Sequence, residues 1–110
     1  MNVNVSKDNK TTLIEVSGRI DSTNANQLGE ALMSEINQGN MQLVVDLGSV
    51  DYMSSAGLRE IVSALKKVRG KGDLRLAQPS ERVLEVLEMA GLDTIFQIFP
   101  DQSLAISSYS

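Results

Sequence analysis

The chain has no cysteine, no histidine and no tryptophan, and only two prolines, two phenylalanines and two tyrosines. Each absence removes a class of chemistry. Without cysteine there are no disulfides and no thiolate metal sites, which fits a reducing compartment, so a cytoplasmic location is expected. Without histidine, a serine nucleophile lacks its usual base, and neither a Gly-x-Ser-x-Gly elbow nor a Ser-x-x-Lys pair surrounds the adjacent serines Ser54 and Ser55. The chain is therefore not expected to be an enzyme. Scarce aromatics leave no stacking platform for single-stranded nucleic acid, and a net charge of −4 argues against a binder of phosphate backbones. Phosphate loops of the Gly-x-x-x-x-Gly-Lys-Ser/Thr and Gly-x-Gly-x-x-Gly types are missing, and no cofactor is expected. No apolar run approaches the roughly 20 residues needed to cross a bilayer. Met1 leads straight into polar Asn2 and Asn4, with no signal-peptide pattern. Neither nucleic acid nor membrane is an expected partner.

What remains is an aliphatic, moderately charged chain of 110 residues, 42% apolar and 22% charged, enough for one core and one domain over residues 1–110. Val3 and Val5 alternate with polar neighbours as in an edge strand. Asp8-Asn9-Lys10 signals a turn, and Thr12–Ser17 the second strand of a hairpin. Ala25, Leu28, Ala31, Leu32 and Ile36 recur at helical spacing before Gly39, with Ser22, Thr23 or Asn24 as the cap. Met41–Leu47 reads as the most buried strand. Leu58, Ile61, Val62, Leu65 and Val68 mark a second helix ended by Gly70 and Gly72. Leu74–Ala77 is a short strand. Pro79 and Ser80 open a third helix, with Val83, Leu84, Leu87 and Ala90 inward. Ile95–Phe99 is the last strand, a short helix runs from Pro100-Asp101 to about Ile106, and Ser107–Ser110 reads as a loose tail. Strand–helix alternation after a hairpin predicts an α/β domain, with a central mixed sheet, mostly parallel after the first pair, and about four helices.

The stretch Asp46-Leu47-Gly48-Ser49-Val50-Asp51-Tyr52-Met53-Ser54-Ser55-Ala56-Gly57-Leu58 carries the chemistry. It reads as a buried strand, a short loop and a helix start, at the strand C-terminal end where sites of open α/β sheets gather. Unpaired N–H groups and a partial positive charge make a helix start favourable for a negative group. A phosphate added to a serine there changes local charge by about −1.5 to −2. One serine can simply cap the helix. Two serines followed by small Ala56 and Gly57, with glycine costing about 1 kcal/mol against alanine inside a helix, leave room for another protein's active site. Asp21, after a strand and a glycine, can be a turn or cap residue. Asp21, Asp46 and Asp51 could be drawn as a Mg²⁺ cluster, but Asp46 reads better as a strand-end carboxylate bonding loop N–H groups, and no metal is expected. Of the five methionines, Met41 and Met89 fit core positions. Met53, with Tyr52, either packs the loop down or offers an apolar contact. Arg59, Lys66, Lys67, Arg69, Lys71 and Arg75 form a basic segment with only Glu60 and Asp73 interspersed. Such a run is either a solvated helix face or a polar partner surface beside the serines.

The stretch Asp46–Leu58 resembles the signature loop of anti-sigma factor antagonists of the STAS domain family. In that family a strand ending Asp-Leu is followed by about five loop residues and then by Asp-Ser-Ser/Thr/Ala-Gly-Leu. Gly18-Arg19-Ile20-Asp21 resembles the family's Gly-x-hydrophobic-Asp segment, and Leu87-Glu88-Met89-Ala90-Gly91-Leu92 its closing helix and Gly-Leu exit. The resemblance runs over nearly the whole chain.

It implies a partner switch. The unphosphorylated protein binds an anti-sigma factor that is also a serine kinase, and a sigma factor is freed. The kinase phosphorylates the antagonist and is released, and a metal-dependent serine phosphatase reverses the mark. Aligning Gly57-Leu58 with the family's Gly-Leu puts Ser55 at the phosphoacceptor, and Ser54 where the family has Asp. That departure keeps Ser54 open as a second acceptor. The partner-contacting set is then Asp21, Met53, Ser54, Ser55, Ala56, Gly57 and Arg59, and the free protein is expected to be a monomer. The readings from other classes are a small-ligand or nucleotide-binding STAS module, and a structural STAS subunit of a larger signalling complex.

Overall fold

The computed structural model describes all residues 1–110. The elements run β1 (Asn2–Asp8), β2 (Thr11–Ile20), α1 (Ala25–Asn37), β3 (Gln42–Met53), α2 (Ser55–Val68), β4 (Asp73–Ala77), α3 (Glu81–Met89), one 3-10 turn (Leu92–Thr94), β5 (Ile98–Phe99) and α4 (Gln102–Ser107). They form one five-stranded sheet in the order β1-β2-β3-β4-β5. β1 is antiparallel to β2, and every later pair is parallel. The opening hairpin turns at Asn9, whose φ of 56° lies in the left-handed region that asparagine tolerates.

Each later strand is added to the same growing edge. Right-handed crossovers in one direction must put their helices on one face of the sheet, and they do. Leu28 and Leu32 of α1, Ile61 and Leu65 of α2, and Val83 and Leu87 of α3 share one cluster with Ile14, Leu43, Val45 and Leu74. The alternation of a strand sends Val44 the other way, into a small cluster with Leu13, Ala77 and Ala105 of α4. The core is almost wholly aliphatic, with Phe96 its one buried aromatic. No helix is long and apolar enough to cross a membrane.

The structure departs from the sequence reading in several places. β2 continues through Gly18 to Ile20, and β3 through Gly48 to Met53, so what reads as a loop after Leu47 is paired strand. The last strand shrinks to Ile98–Phe99, because Leu92–Thr94 forms a 3-10 turn that drops Phe96 into the core. Met89, read as core, is 89% exposed, and Ala90 beside it is exposed as well. Met89 stands two residues past Leu87, the last buried position of α3, and so faces away from the sheet, while Ala90 is already the C-cap.

The C-terminal residues, read as loose, are clamped. The Tyr109 hydroxyl faces two backbone oxygens, Leu43 at 2.8 Å and Asp73 at 2.6 Å, and shares its one proton between them. Arg75 lies 4.0 Å over the Tyr109 ring, donates to the Ser108 carbonyl and Oγ, both at 2.8 Å, and pairs with Asp73. Burial, reinforced by the Asp73 charge, pushes the phenol up from the ordinary tyrosine range. Tyr109→Phe should cost about 1 kcal/mol, the worth of a net hydrogen bond, and lower the melting temperature by about 4–8 °C. A variant that melts with the parent would mean the tail is not attached through this hydroxyl.

Candidate functional site

The site is made by carrying the β2–β3 pairing to its end. Beyond the straight part of the sheet the register runs Ser17 with Ser49, Gly18 with Val50, Arg19 with Tyr52 and Ile20 with Met53, with two irregularities on the way. Gly18 sits at the second of these with a φ of 91°, a conformation most side chains resist. The Ser54 N–H then donates to the Ile20 carbonyl at 2.9 Å. Asp21 and Ser54 each stand one residue past the last strand pair, at the same sheet end, as their separate sequence motifs implied.

Ser54 is the N-cap of α2. Its backbone is extended, and its Oγ accepts from the Gly57 N–H at 3.4 Å. Ser55 is the first residue of the helix and is exposed. The two serines are therefore not equivalent: one hydroxyl is committed to the cap, while the other stands at the positive end of a 14-residue helix. Serine and aspartate are both good N-caps, so Ser54 does locally what the family's Asp would do.

Gly57 is buried where α2 touches the sheet. A Cβ there would lie 2.6 Å from Met53 Sδ and 2.7 Å from Ile20 Cγ2. This gives the glycine its physical reason. It lets the first turn of α2 rest on the last β2–β3 pair, which fixes the height of Ser55 above the sheet. Met53, expected on the partner surface, is only 2% exposed. Its place is corrected to the core, under Gly57, because the strand alternation at Met53 points inward with Ile20. Ala56 is half-buried, and Arg59 is exposed one helical turn beyond Ser55.

Asp21 organises the turn into α1. Its carboxylate accepts from the Thr23 N–H at 2.9 Å and the Thr23 hydroxyl at 2.6 Å, and its carbonyl accepts from the Ala25 N–H at 2.9 Å. Asn24 is the N-cap by position, yet its side chain bonds backward, accepting from the Asp21 N–H and donating to the Arg19 carbonyl. Arg19 and Tyr52 complete the surface. The guanidinium lies 4.1 Å over the Tyr52 ring, and its Nε is 3.4 Å from an Asp21 carboxylate oxygen. Sequence reasoning gave Arg19 no role, and its link to Tyr52 depends on a strand register that was read as loop. The Thr23 hydroxyl and amide, with a smaller contribution from Arg19, hold the Asp21 carboxyl below the ordinary aspartate range.

Asp46 lies apart from this surface. Its carboxylate is 6% exposed and takes the Gly48 N–H, as a strand-end carboxylate was expected to take loop N–H groups, although β3 does not end there. The amides of Gln78 and Gln102 also reach it, at 3.0 and 2.6 Å. It ties α4 to the sheet.

The fold has known counterparts. Residues 2–105 match the model of the STAS domain, and the chain belongs to that family. Relatives within it carry the name anti-sigma factor antagonist. The anti-sigma-B factor antagonist of Bacillus subtilis is 33% identical over 99 residues, covering 89% of this chain and 90% of its own length. BtrV of Bordetella bronchiseptica is 36% identical over 93 residues, covering 84% of this chain and 80% of its own. Among solved structures, unphosphorylated SpoIIAA, an anti-sigma factor antagonist of Bacillus, superposes with a TM-score of 0.86 over 98% of this chain and 96% of its own, at 19% identity. Its phosphorylated form has a TM-score of 0.78 over 99% and 100%, at 18% identity.

Two predictions follow from the geometry. Gly57→Ala should lower stability by about 1–3 kcal/mol, the usual cost of overpacking, although alanine is the better helix former. Denaturant unfolding checks this, and an unchanged or higher midpoint would show that Met53 can swing clear. For Asp21, the folded carboxyl is depressed, so its contribution is full above the ordinary aspartate range and is lost as pH falls through the lowered folded value. Carboxyl NMR titration should find Asp21 below the ordinary value, and Thr23→Val should move it back up.

Proposed function

We propose that this chain is a phosphorylation-controlled anti-sigma factor antagonist with Ser55 as the acceptor. In its unmodified state it binds an anti-sigma factor that is also a serine kinase, through the surface around Asp21, Ser54, Ser55, Ala56 and Arg59, and a sigma factor is freed. The kinase transfers the γ-phosphoryl group of ATP: the Ser55 Oγ–P bond forms, the bond from phosphorus to the bridging oxygen breaks, ADP leaves, and the hydroxyl proton goes to a kinase base. A metal-dependent serine phosphatase restores the hydroxyl.

The observation that carries this reading is the division of labour between the serines. Ser54 is half-buried with its Oγ engaged by the Gly57 N–H, whereas Ser55 is exposed and free of that duty, so its hydroxyl is the easier one for a kinase to reach. A phosphate on Ser55 meets the N-terminal end of α2, where negative charge is tolerated, so the domain keeps its fold. At a packed interface the same dianion meets desolvation and like charge, and the complex loosens. Arg19 and Tyr52 extend the reading, since their stacked pair flanks Asp21 on the same surface.

The test is labelling with the cognate kinase and ATP, read by mass spectrometry, beside titration against that kinase. Ser55→Ala should abolish labelling and keep most of the binding. Ser54→Ala should still be labelled, with stability lower by about 0.5–2 kcal/mol from the lost cap. Ser55→Asp should melt close to the parent yet bind the kinase weakly, with partial mimicry because aspartate brings one charge where phosphate brings about −1.5 to −2. Labelling that survives Ser55→Ala and vanishes in Ser54→Ala would reverse the assignment. A large fall in the melting point of Ser55→Asp, with affinity lost in proportion, would make the segment a structural cap.

A further inference from the structure

The chain has two tyrosines, and an arginine lies over the ring of each: Arg75 at 4.0 Å over Tyr109 and Arg19 at 4.1 Å over Tyr52. In both, the guanidinium Nε also faces the carboxylate of a nearby aspartate, Asp73 at 3.0 Å and Asp21 at 3.4 Å. An aromatic face and an aspartate together set the plane of a guanidinium. The two seats differ at the other end of the group. Arg75 Nη1 donates to the Ser108 carbonyl and Oγ, both at 2.8 Å, and the side chain is only 16% exposed. Arg19 is 63% exposed, and no group of this chain accepts from its Nη atoms. The C-terminal residues complete one seat, and nothing within the chain completes the other.

Asp21 has both carboxylate oxygens engaged inside the chain. One accepts from the Thr23 amide and hydroxyl, and the other faces Arg19. What this turn presents outward is therefore the guanidinium that Asp21 holds. The strand register sets its place. Ile20 and Met53 turn into the core, so strand alternation puts Arg19 and Tyr52 on the opposite face, at the rim of the serine surface. A charge at an interface rim governs encounter and partner choice more than raw affinity. In a chain of net charge −4, an oriented cation there selects an acidic group, and a guanidinium matches a carboxylate through two parallel N–H···O bonds. The family segment Gly-x-hydrophobic-Asp leaves the Arg19 position open. This residue can therefore discriminate between partners where the shared aspartate cannot.

We propose that Arg19, oriented by Tyr52 and Asp21, selects the partner of the serine surface by taking a carboxylate side chain of the anti-sigma factor in a forked pair, with Asp21 as its positioning residue. This rests on the reading of the chain as an anti-sigma factor antagonist, and not on the choice of Ser55. The full-length chain is titrated against the cognate anti-sigma factor without nucleotide, at low and high salt. The parent's affinity checks the antagonist reading, and the differences among variants check the arginine. Arg19→Gln should weaken binding about tenfold, the scale of one charge-assisted contact. It should also flatten the salt dependence and melt close to the parent. Arg19→Lys should lose nearly as much, because an ammonium cannot fork. Tyr52→Leu should lose about threefold, the worth of an exposed cation–π contact. Asp21→Asn should weaken binding in the parent and have no further effect in the Arg19→Gln background. Ser55→Ala should bind as the parent does, so a different phosphoacceptor would leave these results standing. Unchanged affinity in Arg19→Gln would overturn the proposal, and full affinity in Arg19→Lys would reduce the contact to diffuse charge. Additive losses from Asp21→Asn and Arg19→Gln would put Asp21 itself on the partner. A loss in Arg19→Gln seen only with ATP present would make the acceptor a nucleotide phosphate. Each of these last three results also overturns it.

Discussion

The parallel pairing of β2 with β3, carried to Ile20 and Met53, is the constraint on which the serine surface rests. That last pair forms the floor for Gly57. The Ile20 carbonyl receives the Ser54 N–H, and Asp21 is released into its turn one residue later. Had the strands parted at Leu47, as the sequence reading expected, Ser55 would sit on a loop, with its height and direction set by nothing rigid. On a strand-to-helix junction held to the core through Met53 and Gly57, the hydroxyl is presented by a rigid support. A modification there can alter a neighbour's affinity without altering the fold beneath it.

Much of the architecture was legible because it depends on periodicity. The apolar stripe of α2, the alternation in β1 and the aliphatic run of β3 each have a single comfortable structural solution, and the hairpin turn is spelled by its side chains. What escaped was decided by pairing between distant segments. Gly48, Ser49 and Asp51 have loop chemistry, and only the pairing of Ser49, Val50 and Tyr52 with β2 keeps this stretch in the strand, with Gly48 and Asp51 at its two irregularities. Arg19 and Tyr52 are unremarkable until the register sets them side by side. Met89 is apolar but stands two residues past Leu87, on the side of α3 turned away from the sheet. The tail is polar and would fray, but for a hydroxyl that finds two backbone oxygens and an arginine that covers its ring.

The candidate site divides in the same way. Ser54, Ser55, Gly57 and Asp21 were visible as motifs, and the structure gives each a separate local duty: cap, exposed hydroxyl, close approach and turn. Met53 was visible as a neighbour of the serines, but its duty is beneath the surface. The substitution of serine for the family's aspartate at position 54 is understandable at this level, since both side chains accept a backbone N–H at the start of a helix.

The order of strands in the sheet is the order of strands in the chain. Each strand after the hairpin therefore docks on the edge left by its predecessor, and no segment must wait for a distant later one to complete its pairing. For a mixed α/β domain this keeps sequence separation between partners short, which favours fast folding. It also suits vectorial synthesis, in which N-terminal parts emerge first. The serine surface is built from β2, β3 and the starts of α1 and α2, and takes no strand pairing from β4 or β5. The polar end bearing Tyr109 lies over the starts of β3 and β4, so the chain is fastened at one end of β3 while the serine surface occupies the other.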